Sequence, residues 1–288
     1  NLGDFLYPIE DQCKIALVGD WGADNPSAVN VSHQIQNLGA DYVIHLGDIY
    51  YAGQGNEAES FLKLWPRAGQ KRSFALNGNH EMYSGGHAYF EKVLTAPGFG
   101  QAASYFGLYN QAWQFLGVDT AYVEHRLLSD QDARLTKQFD WLVDKLKDTS
   151  QKNILLSHHQ PLSAFALEHA AAAGLRDDIG KLTLAVGAAG ASSIYAWFFG
   201  HEHRCTIYDD TRTEYRARLI GHGAIPNDIP NGIPDVGCVP FTAINQTRKP
   251  DGSGYLISGF ALLALDGPTI SIQYVNEDGS VWQKEQWP

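Results

Sequence analysis

Ile15-Ala16-Leu17-Val18-Gly19-Asp20-Trp21-Gly22 introduces the pattern on which the chain is built: a short apolar run, a glycine, then a polar residue able to bind metal. The pattern, with serine once in place of glycine, returns four times. Tyr42-Val43-Ile44 leads to Gly47-Asp48-Ile49-Tyr50-Tyr51, and Phe74-Ala75-Leu76 leads to Gly78-Asn79-His80-Glu81. Ile154-Leu155-Leu156 leads to Ser157-His158-His159, and Ala196-Trp197-Phe198-Phe199 to Gly200-His201-Glu202-His203. Apolar runs this short, bounded by glycine and polar residues, read as strands buried on both faces. In an open α/β sheet, ligands gather beyond the carboxyl ends of parallel strands. Five strand ends delivering Asp, Asp, Asn, His and a His pair to one edge build a metal site.

Between these runs lie helical patterns. Ala28–Leu38 repeats Val31, Ile35 and Leu38 at helical spacing before Gly39 stops it, a short helix carries Phe61, Leu62 and Leu64 up to Pro66, and another is expected near His87–Leu94. Ser104–Leu108 and Trp113–Val118 read as a hairpin-like pair. Ser129–Lys147 is the clearest helix, with Ser129 or Asp130 as its cap and Leu135, Phe139, Leu142, Val143 and Leu146 as one apolar stripe. Ala170–Ser193 reads as partly helical. From Tyr255 onward the pattern is strand-like: Gly259–Leu265, Thr269–Val275 and Val281–Lys284, separated by turns at Asp266-Gly267-Pro268 and Asp278-Gly279. Strand–helix alternation followed by a strand-rich end predicts an α/β fold of two stacked sheets with helices outside. The expected arrangement is one domain over residues 13–288, a four-layer αββα sandwich of two mixed sheets, preceded by an extended arm over residues 1–12.

The 288 residues are 44% hydrophobic and 18% charged, which suits a soluble domain with a large core. Lys plus Arg is 21 against 32 Asp plus Glu, a formal charge of −11, so nucleic acid is not expected as a partner. A small phosphate ester is compatible with that charge, because bound cations invert the field locally. The apolar-rich stretch Leu182–Phe199 is broken by Gly and Ser, so no membrane partner is expected. No signal-peptide pattern opens the chain; with Asn1 first and Met82 as its one methionine, it reads as a processed or excised piece. Three cysteines, Cys13, Cys205 and Cys238, allow one bridge or none. Compartment and oligomeric state leave no mark in the sequence.

Carboxylate, carboxamide and imidazole donors together suit iron, manganese or zinc. A lone Asp after a strand is usually a cap, and a lone His-x-His is usually incidental; five blocks in order are neither. In that order the chain resembles the calcineurin-like metallophosphoesterases, and within them the purple acid phosphatases. The blocks GDxG, GDxxY, GNH(D/E), a histidine after a strand, and GHxH are met by Asp20, Asp48 with Tyr51, Asn79 with His80, the His158-His159 pair, and His201 with His203. The resemblance covers roughly residues 14 to 205.

The resemblance implies a site for two metals. Asp20, Tyr51 and His203 would hold the first; Asn79, one of the adjacent histidines and His201 the second; Asp48 would bridge them. The family's histidine commonly sits two positions before a proline, and Pro161 puts His159 there in preference to His158. Where many relatives carry a histidine ligand in the opening block, this chain has Gly22, and Tyr51 fills the gap with a phenolate. Both departures imply Fe(III) at the first position, with Fe(II), Mn or Zn at the second. His80 resembles the histidine that touches substrate and protonates the leaving group, and His169 a second substrate-side histidine. The implied reaction is hydrolysis of phosphomonoesters by a metal-activated hydroxide. The alternative is a phosphodiesterase using Mn or Zn on cyclic nucleotides or phospholipid head groups. His33, His45, His87, His125 and His222 read as structural, and Glu81 and Glu202 as groups that orient neighbours or face solvent. Loops over Ile225–Gly254 are expected near the site, where they set substrate choice.

Overall fold

Alternation along each apolar run decides which layer a side chain joins. In β2 (Gln12–Val18), Ile15 and Leu17 enter one buried cluster while Ala16 and Val18 enter another. In β7 (Lys152–Ser157), Ile154 and Leu156 part from Leu155 in the same way, and in β8 (Ile194–Phe199) Ala196 and Phe198 part from Trp197 and Phe199. Such strands need cover on both faces, and two sheets with helices outside supply it. The computed structural model describes residues 5–22, 24–66, 71–129, 132–147, 150–187, 194–227 and 238–288.

The first sheet takes β2, β3 (Tyr42–His45) and β4 (Arg72–Ala75) as parallel neighbours. Helix α1 (Pro26–Asn37) and α2 (Gly55–Leu64) make the crossovers. The C-terminal meander β12 (Gly259–Asp266), β13 (Thr269–Asn276) and β14 (Val281–Trp287) adds to the other side of β2 in antiparallel fashion. The second sheet has β6 (Trp113–Gly117), β7, β8 and β10 (Arg216–Ile220) as parallel neighbours. Its edges are β5 (Phe106–Tyr109) with β1 (Leu6–Pro8) on one side, and β9 (Cys205–Tyr208) with β11 (Phe241–Ile244) on the other. Ile15, Ile44, Phe74, Phe115, Leu156, Phe198 and Leu263 fill the space between the sheets. Helix α4 (Ala133–Lys147) and α6 (Ala173–Val186) cover the outer face of the second sheet, while α1 and α2 cover that of the first. The expected four-layer sandwich of mixed sheets is the observed fold.

Local chemistry fixes the boundaries. Asn25 caps α1 by accepting from the Ala28 amide at 3.0 Å, Pro26 sits at its first position, and Gly39 takes the left-handed φ of 66° that ends it. Helix α4 starts later than expected, because Asp132 supplies the cap by accepting from Arg134 N at 2.8 Å. Asp130 lies outside the described residues. The helix expected near His87–Leu94 is a single π turn, Tyr89–Val93. Part of the expected N-terminal arm is an edge strand, with Leu6 in register with Gly107. All three cysteines are free. Among the described residues no helix is long and apolar enough to cross a membrane.

One buried ion cluster ties the two sheets together. Arg218 of β10 is 1% exposed and donates to Glu285 of β14 at 2.6 Å and to Asp210 at 2.7 Å. Burial pushes the Glu285 carboxyl up, but its bonds to Arg218 outweigh this and hold it below the usual range. Arg218→Met is expected to lose about 3 kcal/mol in urea unfolding, because the partly buried Glu285 would lose its cationic partner and keep only its bonds from Tyr274 and Trp287. The depressed carboxyl stabilises the fold above its unfolded pKa, so the parent's advantage should fade as pH falls below about 4. A loss under 1 kcal/mol, or one independent of acid, would remove this cluster from the account.

Candidate metal centre

The five polar blocks follow β2, β3, β4, β7 and β8, and the first three strands belong to one sheet, the last two to the other. The ligands therefore meet across the sandwich, at the carboxyl ends of both parallel arrays. Among the described residues, four non-glycine residues take left-handed backbone: Asp20 (φ 56°), Asp48 (57°), His125 (55°) and His201 (75°). Each costs about 1–2 kcal/mol, and all four lie here.

Two donor sets share one carboxylate. Asp20, Asp48 and His203 form the first, and Asp48, His158 and His201 the second; within each, one ligand atom per residue lies within 4.8 Å of the others. Asn79 joins the second set, its Oδ1 3.0 Å from His158 Nε2 and 3.1 Å from His201 Nδ1. His158 Nε2 is also 3.3 Å from Asp48 Oδ1, and His203 Nε2 is 3.7 Å from Asp20 Oδ1. The Leu46 carbonyl, 3.1 Å from His158 Nδ1, can only accept, so that nitrogen carries the proton and Nε2 presents a lone pair to the cleft.

These residues fit cations and little else. Asp20 Oδ1 is buried without a hydrogen-bond partner. Burial, then the charge of Asp48, pushes the Asp20 carboxyl far above its usual range, and burial lifts Asp48 to about 7. Burial and neighbouring imidazoles pull His201 down to about 3 and His203 to about 4. Buried carboxylates with neutral imidazoles, lone pairs converging, form a ligand set that positive ions would stabilise.

Small residues let the ligands close in. A Cβ at Gly200 would lie 2.7 Å from Asp20 Oδ2, and one at Gly22 would lie 2.5 Å from Tyr50 Cα. A histidine at position 22 is therefore sterically excluded. Glu81, fully buried, accepts from the amides of Asp48 (2.9 Å), Ile49 (2.7 Å) and Gly78, and so clamps the second block to the third.

The calcineurin-like phosphoesterase family model matches residues 13–205 of this sequence. The chain belongs to that family. This phosphoesterase is 21% identical to human tartrate-resistant acid phosphatase type 5 over 314 residues, covering 96% of this chain and 90% of the human one. Its fold is similar to that of a purple acid phosphatase from yellow lupin seeds (TM-score 0.64, 17% identity, 97% of this chain). It spans about half of that enzyme, 54% of its length. The fold is also similar to GAP50, described as the anchor in the inner membrane complex of Plasmodium (TM-score 0.65, 14% identity, 96% of this chain and 88% of that one). Family membership makes the protein a metal-dependent phosphoric ester hydrolase.

The remaining expected site residues of this phosphoesterase divide. His80 reaches the centre: its amide donates to Asp48 Oδ1 at 3.0 Å, and its Nε2 lies 3.5 Å from Asp48 Oδ2. His159 does not stand where His158 does. Its Nδ1 is 2.9 Å from the Thr120 carbonyl, and its ring lies behind His201, centroids 4.6 Å apart. Strand alternation carried the signal: His158 follows Ile154 and Leu156 onto the face between the sheets, and His159 falls on the other. His169 is turned away, its Nδ1 accepting from Ser163 N at 3.3 Å beside a cavity of about 490 Å³ also lined by Arg176. Adjacent residues on a helix point about 100° apart. On α5 (Ala166–Ala171) it is thus Glu168 that faces the centre, its Oε2 3.9 Å from His201 Nε2. Tyr51 stands outside the donor sets, 62% exposed with its ring against that of His80 (centroids 5.5 Å). His45 is structural, accepting from Gly47 N at 3.0 Å. Of the expected loops over 225–254, residues 228–237 lie outside the described residues.

Proposed function

We propose that this phosphoesterase hydrolyses phosphomonoesters at a centre of two cations bridged by Asp48. The observation that carries the reading is that Asp48 belongs to both donor sets. Asp20 and His203 complete the first set, and Asn79, His158 and His201 the second, with His158 taking the place expected of His159. Bound cations would neutralise charge on the phosphoryl group and acidify a water enough for attack near neutral pH.

The chain's own residues do the rest. Leu46 and Glu81 hold the ligands in register through His158 and through the amides of Asp48 and Ile49. His80 engages the Tyr51 carbonyl through Nδ1, which leaves Nε2 facing the cleft. With the ring protonated on both nitrogens, it can give the Nε2 proton to the departing oxygen of the ester. Similarity to acid phosphatases along nearly the whole chain supports monoesters over diesters. With p-nitrophenyl phosphate and bis(p-nitrophenyl) phosphate, kcat/KM should favour the monoester about tenfold or more, roughly 1.4 kcal/mol in the transition state. Equal or faster diester turnover would overturn the substrate assignment while leaving the centre intact.

Tyr51 is the proposed fourth donor to the first cation, which would then be Fe(III), with Fe(II), Mn or Zn at the second position. Support comes from the steric exclusion of any side chain at position 22. The iron-loaded protein should show a visible phenolate-to-iron absorption band that Tyr51→Phe abolishes. A colourless, fully active iron-loaded protein would leave Tyr51 at the surface, as a neighbour of His80 only.

A further inference from the structure

A third group of nitrogens lies beside the cleft and shares only His201 with the second donor set. His125 lies in the turn after β6, and His159 directly follows His158. Each of His125, His159 and His201 offers a ring nitrogen, and the three lie within 4.8 Å of one another, the span found in the two sets above. The rings are nested, with centroids 4.0 Å apart for His125 and His159, 4.6 Å for His159 and His201, and 5.5 Å for His125 and His201.

The tautomer of His159 decides what this group can bind. The Thr120 carbonyl, 2.9 Å from its Nδ1, only accepts, so the proton sits there and Nε2 carries a lone pair. His159 is fully buried and that Nε2 has no partner; His125 Nδ1 is likewise buried and unpartnered. Leaving such atoms unsatisfied is costly. A phosphate oxygen, itself a lone-pair donor, cannot satisfy His159 Nε2, whereas a cation can. His125 also holds a left-handed backbone (φ 55°), which puts its ring among the others at a cost no internal hydrogen bond to that nitrogen offsets. Negative charge stands close by, since Glu168 Oε2 is 3.9 Å from His201 Nε2.

We propose that His125, His159 and His201 form a third cation site beside the dinuclear centre, with Glu168 as counter-charge. Three imidazoles and a nearby carboxylate are a borderline ligand set, best matched by zinc. His201 would be shared, its Nδ1 lying toward Asn79 and His158 and its Nε2 toward Glu168. Holding an ion on each nitrogen would make the ring an imidazolate, with its proton passed to solvent. The inference rests on the dinuclear reading only through this shared ring.

The test counts metal. Metal-free protein is reloaded with zinc, separated from excess by gel filtration, and zinc per folded chain is measured by mass spectrometry. The parent should carry three ions, and His125→Ala and His125→Gln two each, with circular dichroism confirming the fold. The same difference of one ion should persist in an Asp48→Asn background, where the dinuclear centre is impaired. An equal count in the parent and in either folded variant overturns the third site; a shared count of two would do so while leaving the centre in place. A parent that carries a single ion, lost in His125→Ala, would instead overturn the dinuclear reading while keeping the third site.

Discussion

Asp48→Asn is expected to lower phosphate-ester hydrolysis by about 10³-fold or more while the protein stays folded. Asparagine keeps the size of the side chain but replaces one oxygen by an NH2 group, whose hydrogens face a cation instead of binding it. The carboxylate is 1% exposed and meets His158 Nε2 at 3.3 Å and His80 N at 3.0 Å, which holds it where the two donor sets join. Stability should move the other way. Burial lifts the Asp48 carboxyl to about 7, and its charge in turn pushes Asp20 up. In metal-free protein the variant relieves that repulsion, so its melting temperature should equal or exceed the parent's. Parallel kcat/KM and melting measurements separate the two effects. Hydrolysis at the parent's rate would remove Asp48 from the bridging position.

Gly78→Ala should act nearly as strongly without touching a ligand. A Cβ at this position would lie 2.9 Å from Glu81 Oε2 and closer still to the amide nitrogen and Oδ1 of Asp48. The backbone cannot yield easily, because the Gly78 amide is itself bonded to Glu81. The expected result is displacement of Asp48, a loss of about 10² in activity and about 1–3 kcal/mol in stability. Gly180→Ala in α6 is the matched control. Nothing stands within 4 Å of a Cβ there, so activity should hold and stability rise by up to about 1 kcal/mol. If both variants behave like the control, the clamp between the second and third blocks is not what sets the Asp48 geometry.

The strand ends were legible in the sequence because a buried strand needs an unbroken apolar run, and each run here is followed at once by its polar block. The side chains at those ends were less legible. A proline two residues on pointed to His159, but the alternation of β7 carries His158 to the face between the sheets. Glu168 and His169 sit side by side in sequence and about 100° apart on the helix, so the choice between them needed the helix phase. His125 gave no signal at all. Its place depends on a left-handed residue in the Ala121–His125 turn, and nothing in the local sequence announces one. For Glu81 the sequence leaves two readings, orienting neighbours or facing solvent, and three converging amides decide for the first. Gly22 was read as a missing ligand; the backbone of Tyr50 supplies the steric reason for it.

Crystals of protein purified without added metal, measured on either side of the iron, manganese and zinc absorption edges, address the central claim most directly. Two anomalous peaks are predicted to flank Asp48, about 3.5–4 Å apart, one against Asp20 and His203 and the other against Asn79, His158 and His201. A cleft without anomalous density even after metal soaking, with Asp48 turned from both histidine groups, would contradict it.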